Sequence, residues 1–163
     1  MALATMMRSA SLHRIVVGIL ILWVSTSSAD TAELDSRPAK LQAFFHAYGC
    51  PEPLHIQDYL NAADANKLDY RLLPALSVRE STCGIHARLN NRWGWNSAKT
   101  GFQSVSAGIH YLAHVLSHGQ YYRGKNVEQK IYVYNPLQPY VREVTKLMRE
   151  IDEEVDEEEI DTE

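Results

Sequence analysis

The chain has 163 residues, 45% of them hydrophobic, with 16 Lys and Arg against 20 Asp and Glu and a formal net charge of −4. That length and apolar content fit one domain with one core and exclude an array of several. The acidic total does not describe the globular part. Ten acidic residues fall in the last 14 positions, so residues 30–149 hold 14 basic side chains (16 less Arg8 and Arg14) against 10 acidic ones (20 less those ten), a balance of +4.

At the amino end, Arg8 and Arg14 precede the apolar block IVVGILILWV, and STSSA follows with Ser27 and Ala29 at a spacing suited to a signal peptidase. Residues 1–29 therefore read as a signal peptide. A retained anchor is the alternative, but the block is short for a membrane span, and no cysteine stands at the cleavage point to take a lipid. The expectation is a periplasmic or secreted protein, with no stable membrane insertion once the signal is removed.

The rest shows no internal repeat, no Gly/Ser linker and no alternating strand pattern; its periodicity is helical. A first helix is predicted over residues 38–48, opened by Pro38 and broken by YGCPEP, and a second over residues 54–68. Asp69 can cap a third, YRLLPALSVRES, which Gly84 closes; Pro74 either kinks its start or moves that start later. After a loop rich in Asn, Gly and Trp, Ser104 caps SVSAGIHYLAHVLSHG, whose apolar stripe is Val105, Ile109, Leu112 and Leu116.

His110, His114 and His118 fall opposite that stripe. Their spacing would suit a metal, but no acidic residue accompanies them and the face reads as solvated, so neither metal nor cofactor is expected. A last helix starts near Pro139, carries Val141, Val144, Met148 and Ile151 on one face, and frays into the acidic tail, residues 150–163. That tail reads as disordered and solvated, the alternative being a polyanion mimic that covers a basic cleft. The fold class is mainly α, with five or so helices.

Two cysteines, Cys50 and Cys83, remain. In an exported chain of this size the expectation is one disulfide between them; the alternative, a Cys83 nucleophile with a histidine base, strands Cys50 as an odd thiol.

Leu72, Leu76 and Glu80 follow at i, i+4 and i+8, which predicts that Glu80 continues the apolar face toward the core. Burial and the helix carbonyl end would both disfavour its charged form, as a general acid requires. The competing role is a buried, paired structural carboxylate. Glu80 is the only Asp or Glu between Asp69 and Glu128, so a second acid would have to arrive through the fold from Asp58, Asp64, Asp69, Glu128 or Glu143. Downstream, NNRWGW offers Asn90, Asn91, Trp93 and Trp95, amides and rings of the kind that hold a sugar, though either ring could equally seal the loop. Tyr134 and Asn135 in YVYNP stand before a proline, and Tyr134 could bond Glu80 or merely cap a helix end.

LDYRLLPALSVRESTCG, then NNRWGW, then YNP, in a helical exported domain, resembles the lysozyme-like superfamily over residues 54–151, in particular soluble lytic transglycosylases and bacterial N-acetylglucosaminidase domains. Their catalytic Glu maps onto Glu80. The pattern of ES, Gly, NN and Gly is similar to the glucosaminidase one and maps onto Ser81, Gly84, Asn90, Asn91 and Gly94. The transglycosylase YN, whose Tyr lies near the catalytic Glu, maps onto Tyr134 and Asn135. The chain departs from them in having Trp95 and Asn96 after Gly94, and in lacking a clear second acid.

The resemblance implies a small lysozyme-like helical domain with a substrate groove, cutting the β-1,4 bond of the peptidoglycan glycan strand with Glu80 as general acid and base. Ser81, Asn90, Asn91, Trp93, Trp95, Tyr134 and Asn135 would bind that strand, and no nucleic acid partner is expected. Hydrolysis instead of lytic cyclisation, and a binding module without catalysis, are the alternatives.

Overall fold

Six α-helices and no strand make up residues 35–153, the part that the computed structural model describes. The expected signal peptide and tail residues 154–163 lie outside the described residues. The helices are α1 (Arg37–Ala47), α2 (Ile56–Asn66), α3 (Leu72–Ser81), α4 (Val105–His118), α5 (Val127–Tyr134) and α6 (Gln138–Asp152). The mainly helical class expected from the periodicity is thus found. Among the described residues no helix is long and apolar enough to cross a membrane.

α3 is the central element. Leu72 through Val78 and Ser81 are all buried, so its apolar character runs around the whole helix rather than along one stripe. Leu72, Leu73 and Leu76 are at most 3% exposed, and burial of each contributes about 1.5–3 kcal/mol. α6 packs along α3, α4 packs on α2, and α1 leans on both α2 and α6.

The start of α3 differs from the capping expected at Asp69. The helix begins at Leu72, while the Asp69 carboxylate accepts from the Arg71 backbone N–H at 3.1 Å and pairs with the Arg71 guanidinium at 2.6 Å. Pro74 is consequently the third helical residue, inside the first turn, where a missing N–H leaves no hydrogen bond unmade. Ser104 does cap α4, accepting from the Ala107 N–H at 3.0 Å. α5 has a capping box, Asn126 and Gln129 exchanging bonds of 2.9 and 3.0 Å.

Cys50 and Cys83 form a disulfide, with Cα atoms 5.4 Å apart, that ties the loop after α1 to the segment just beyond α3. No free thiol remains, which removes the Cys83 nucleophile. The boundary expected after Arg149 falls inside α6. Ile151 is buried, Glu150 accepts from Tyr48 and pairs with Lys146 at 3.0 Å, and Asp152 binds Arg71 and accepts from Tyr70 at 2.9 Å. The apolar stripe of α6 outlasts the onset of acidic residues, and packing carries the helix three residues into them.

Candidate functional site

Glu80 sits on the last turn of α3 and is exposed, not core-facing. Two steps of four residues rotate a position by about 80° around a helix of 3.6 residues per turn, so Glu80 has left the face that Leu72 buries. The core burial expected for it is therefore not found. It opens instead into a cleft of about 430 Å³. The cleft is lined by Glu80, by Gly94, Trp95, Asn96 and Ser97 of the loop after α3, and by Tyr122, Tyr134 and Asn135.

The two carboxyl oxygens of Glu80 have different surroundings. Oε1 accepts a 2.5 Å hydrogen bond from the hydroxyl of Tyr140, a buried residue in the first turn of α6. Oε2 faces Gly94, where a Cβ would come within 2.9 Å of it. Gly94 also has φ +60°, the left-handed region that costs other residues about 1–2 kcal/mol. Burial first, and then the bond to Glu80, raises the pKa of Tyr140 well above the ordinary phenol value, so its hydroxyl remains a neutral donor.

Trp95 reaches the cleft because Asn91 holds its loop. The Asn91 side chain, 3% exposed, accepts from the Trp95 N–H at 3.0 Å and donates to the carbonyls of Trp95 at 2.9 Å and Thr100 at 2.8 Å. These bonds offset a left-handed run at Asn96, Ser97 and Ala98 (φ 55°, 54° and 57°). Asn96 also donates to the Thr100 hydroxyl at 2.7 Å. The Trp95 ring lies 5.9 Å from Tyr134 and 6.5 Å from Tyr122, centroid to centroid, giving an aromatic surface beside the carboxyl.

Of the residues expected to contact substrate, Trp95, Tyr134 and Asn135 line the cleft with Glu80. Ser81, Asn90, Asn91 and Trp93 are not among the residues that line it, and their side chains are engaged within the protein. Trp93 is fully buried and donates its indole N–H to the Leu73 carbonyl at 3.0 Å, so of the two tryptophans it is the one that seals the core. Ser81 donates to the Arg92 carbonyl at 2.6 Å, joining α3 to the loop. Asn90 donates to the carbonyls of Phe102 and Gln103 at 3.1 and 3.3 Å, joining the loop to the start of α4.

Tyr134 does not bond Glu80; its hydroxyl donates to the Trp93 carbonyl. Burial above all, with the nearby charge of Glu80, raises its pKa strongly. The residue that does bond Glu80, Tyr140, was not anticipated. One step of four back from Val144 on the α6 stripe reaches it, which shows that it faces inward, though not what it meets.

Among the described residues Glu80 is the only carboxylate lining the cleft. Asp58 is bonded to His55 at 3.0 Å and to Ser106 at 2.9 Å, Asp64 to Arg37, Asp69 to Arg71, and Glu143 to Arg79. Glu128 lies on a separate surface hollow between α5 and α6. His110, His114 and His118 are exposed, the last two with stacked rings 4.8 Å apart, and among the described residues no group of three His, Cys, Asp or Glu is placed to hold a metal. Comparison with protein-family models, with curated proteins and with solved structures finds no match to this chain.

Proposed function

We propose that this chain is an exported, lysozyme-like enzyme that cleaves the β-1,4-glycosidic bond of the peptidoglycan glycan strand in the manner of a lytic transglycosylase, with the cleft at Glu80 as its substrate groove. The observation that carries this reading is the asymmetry of one carboxyl. Oε1 is committed to Tyr140, and Oε2 is open to the cleft beside aromatic rings.

Tyr140 occupies Oε1, which leaves Oε2 as the oxygen through which a proton can pass to a glycosidic oxygen. Proton transfer accompanies cleavage of the bond from C1 to the leaving oxygen, whose electron pair leaves with it, and positive charge develops at C1. Glu80, now a carboxylate, takes the proton of the same sugar's 6-hydroxyl, and O6 closes onto C1. The product is a 1,6-anhydro sugar, no water is consumed, and Glu80 is protonated again. Trp95 and Tyr134 supply ring faces for the apolar faces of the sugars.

A lone carboxylate supports this route over hydrolysis by two, which needs a partner acid roughly 5–10 Å away. The disulfide suits an oxidising, exported location. The test is Glu80→Gln assayed on purified sacculi for solubilisation and for co-sedimentation. Loss of solubilisation with binding retained supports the enzyme; undiminished solubilisation contradicts it, and binding with no cleavage by the wild type assigns a binding module.

A further inference from the structure

Arg79 stands directly before Glu80, and the chemistry above gives it no part. Neighbouring residues of a helix point about 100° apart, so its guanidinium does not face the Glu80 carboxyl. It pairs with Glu143 of α6 instead, Nε to Oε2 at 2.5 Å. Both side chains nevertheless end on one residue of α6. Glu80 accepts from the Tyr140 hydroxyl, while the Arg79 guanidinium lies over the Tyr140 ring, 5.3 Å from its centroid. α6 packs along α3, and Tyr140 and Glu143, three apart, are neighbours on the α6 surface, so a single turn offers Arg79 both the ring and the carboxylate.

Neither Arg79 nor Glu143 lines the cleft; both border a separate hollow of about 370 Å³. Contact with a ligand at Glu80 is therefore not their means of influence, and any effect on that carboxyl passes through Tyr140. Tyr140 is only 4% exposed, so what the guanidinium adds to the ring is charge more than cover. A cation over an aromatic face is attracted by the ring's electrons and draws on them, and a phenol polarised in this way donates a stronger hydrogen bond. The same electrostatics shows in the acidity of the phenol. Burial above all, then the bond to Glu80 and its charge, raise the pKa of Tyr140, and the charge of Arg79 opposes the rise.

We propose that Arg79 is a positioning residue of this site: anchored by Glu143, it strengthens and orients the hydrogen bond that Tyr140 gives to Glu80 Oε1. This rests on the reading of Glu80 as acid and base, and adds a charge outside the cleft that tunes it. The test is a double-mutant cycle on the full chain, read in two ways. The first is turnover of soluble glycan strands from purified peptidoglycan. Arg79→Met keeps an apolar stem and removes the charge; with 42% of the Arg79 side chain exposed, it should lower kcat about two- to fivefold and leave KM within about twofold. Made on Tyr140→Phe, which lacks the hydroxyl, the same substitution should leave kcat unchanged. Glu143→Gln, which frees the guanidinium, should act as Arg79→Met does but more weakly, and melting temperatures check that each variant is folded.

The second readout needs no activity. In protein labelled with carbon-13 at glutamate Cδ, the Glu80 carboxyl signal is identified by its loss in Glu80→Gln. It should move in Arg79→Met and stay in place when that substitution is made on Tyr140→Phe. Equal losses of kcat in both backgrounds, a loss confined to KM, or a Glu80 signal that Arg79→Met does not move overturn the positioning role. If Glu80→Gln abolishes cleavage while Arg79→Met cleaves at the wild-type rate, the enzyme stands and this inference fails. If the wild type cleaves nothing but the Glu80 signal follows the cycle, the positioning of Glu80 by Arg79 stands and the reaction fails.

Discussion

Gly94→Ala separates the backbone of the site from its chemistry. A Cβ at Gly94 would stand 2.9 Å from Glu80 Oε2, about 0.5 Å inside the 3.4 Å at which ordinary contact begins. The carboxyl cannot simply swing away, because Oε1 is held by Tyr140. It must rotate or shift by several tenths of an ångström, and misplacements approaching 1 Å at a reacting group cost up to about 100-fold. The same substitution also forces alanine into φ +60°, a penalty of about 1–2 kcal/mol, or roughly 4–8 °C in melting temperature for a domain of this size. Gly49 supplies the control. It too has φ +60°, but nothing lies within 4 Å of its Cβ position. Gly49→Ala should therefore melt about as early as Gly94→Ala while solubilising sacculi at the wild-type rate, whereas Gly94→Ala should lose about 10–100-fold in kcat. Wild-type kcat in Gly94→Ala, or an equal loss in Gly49→Ala, would refute Oε2 as the proton-donating atom.

Tyr140→Phe removes the bond that orients Glu80 and should lower kcat about 10-fold or more with little change in KM; an unchanged kcat would remove Tyr140 from the positioning role. Replacing Cys50 and Cys83 by Ser opens a loop with a sequence separation of 33 and should cost about 4 kcal/mol by the chain-entropy relation, read as a fall in the denaturant midpoint. Glu150 titrates below its ordinary 4.5, chiefly because it accepts from Tyr48, with burial opposing and Lys146 assisting. A depressed folded-state pKa gives stability that is present above the unfolded value and lost as pH falls through the folded one. Melting temperature should thus drop below about pH 4.5, and less steeply in Glu150→Gln; parallel curves would show that this pair contributes nothing.

Helix content was legible because apolar spacing records which positions packing needs, and the α4 stripe is buried at Ile109, Leu112 and Leu116 and half-buried at Val105 in the first turn. The same reasoning misplaced Glu80, because α3 is apolar all round and a face argument has no face to select. Position in the last turn, where the helix leaves the core, was the better guide. Trp95 was legible as a ring in an Asn- and Gly-rich loop, but the division of labour with Trp93 was not. That division depends on Asn91 bonding the Trp95 backbone and on a left-handed turn sustained by bonds within its own loop. Tyr140 lies 60 residues beyond Glu80, and their pairing follows from α6 packing along α3, a tertiary event without a local pattern. α5 had a signal in Asn126 and Gln129, the two ends of a capping box, that the proline at 136 overshadowed.

The most direct test of the central claim is the mass pattern of fragments released from purified sacculi by the wild-type chain and by Glu80→Gln. The account predicts wild-type fragments lighter by one water than their reducing-end counterparts, because the 6-hydroxyl closes the ring, and no release by Glu80→Gln. Fragments bearing ordinary reducing ends would contradict cyclisation, and release by Glu80→Gln at the wild-type rate would contradict Glu80 as the acid.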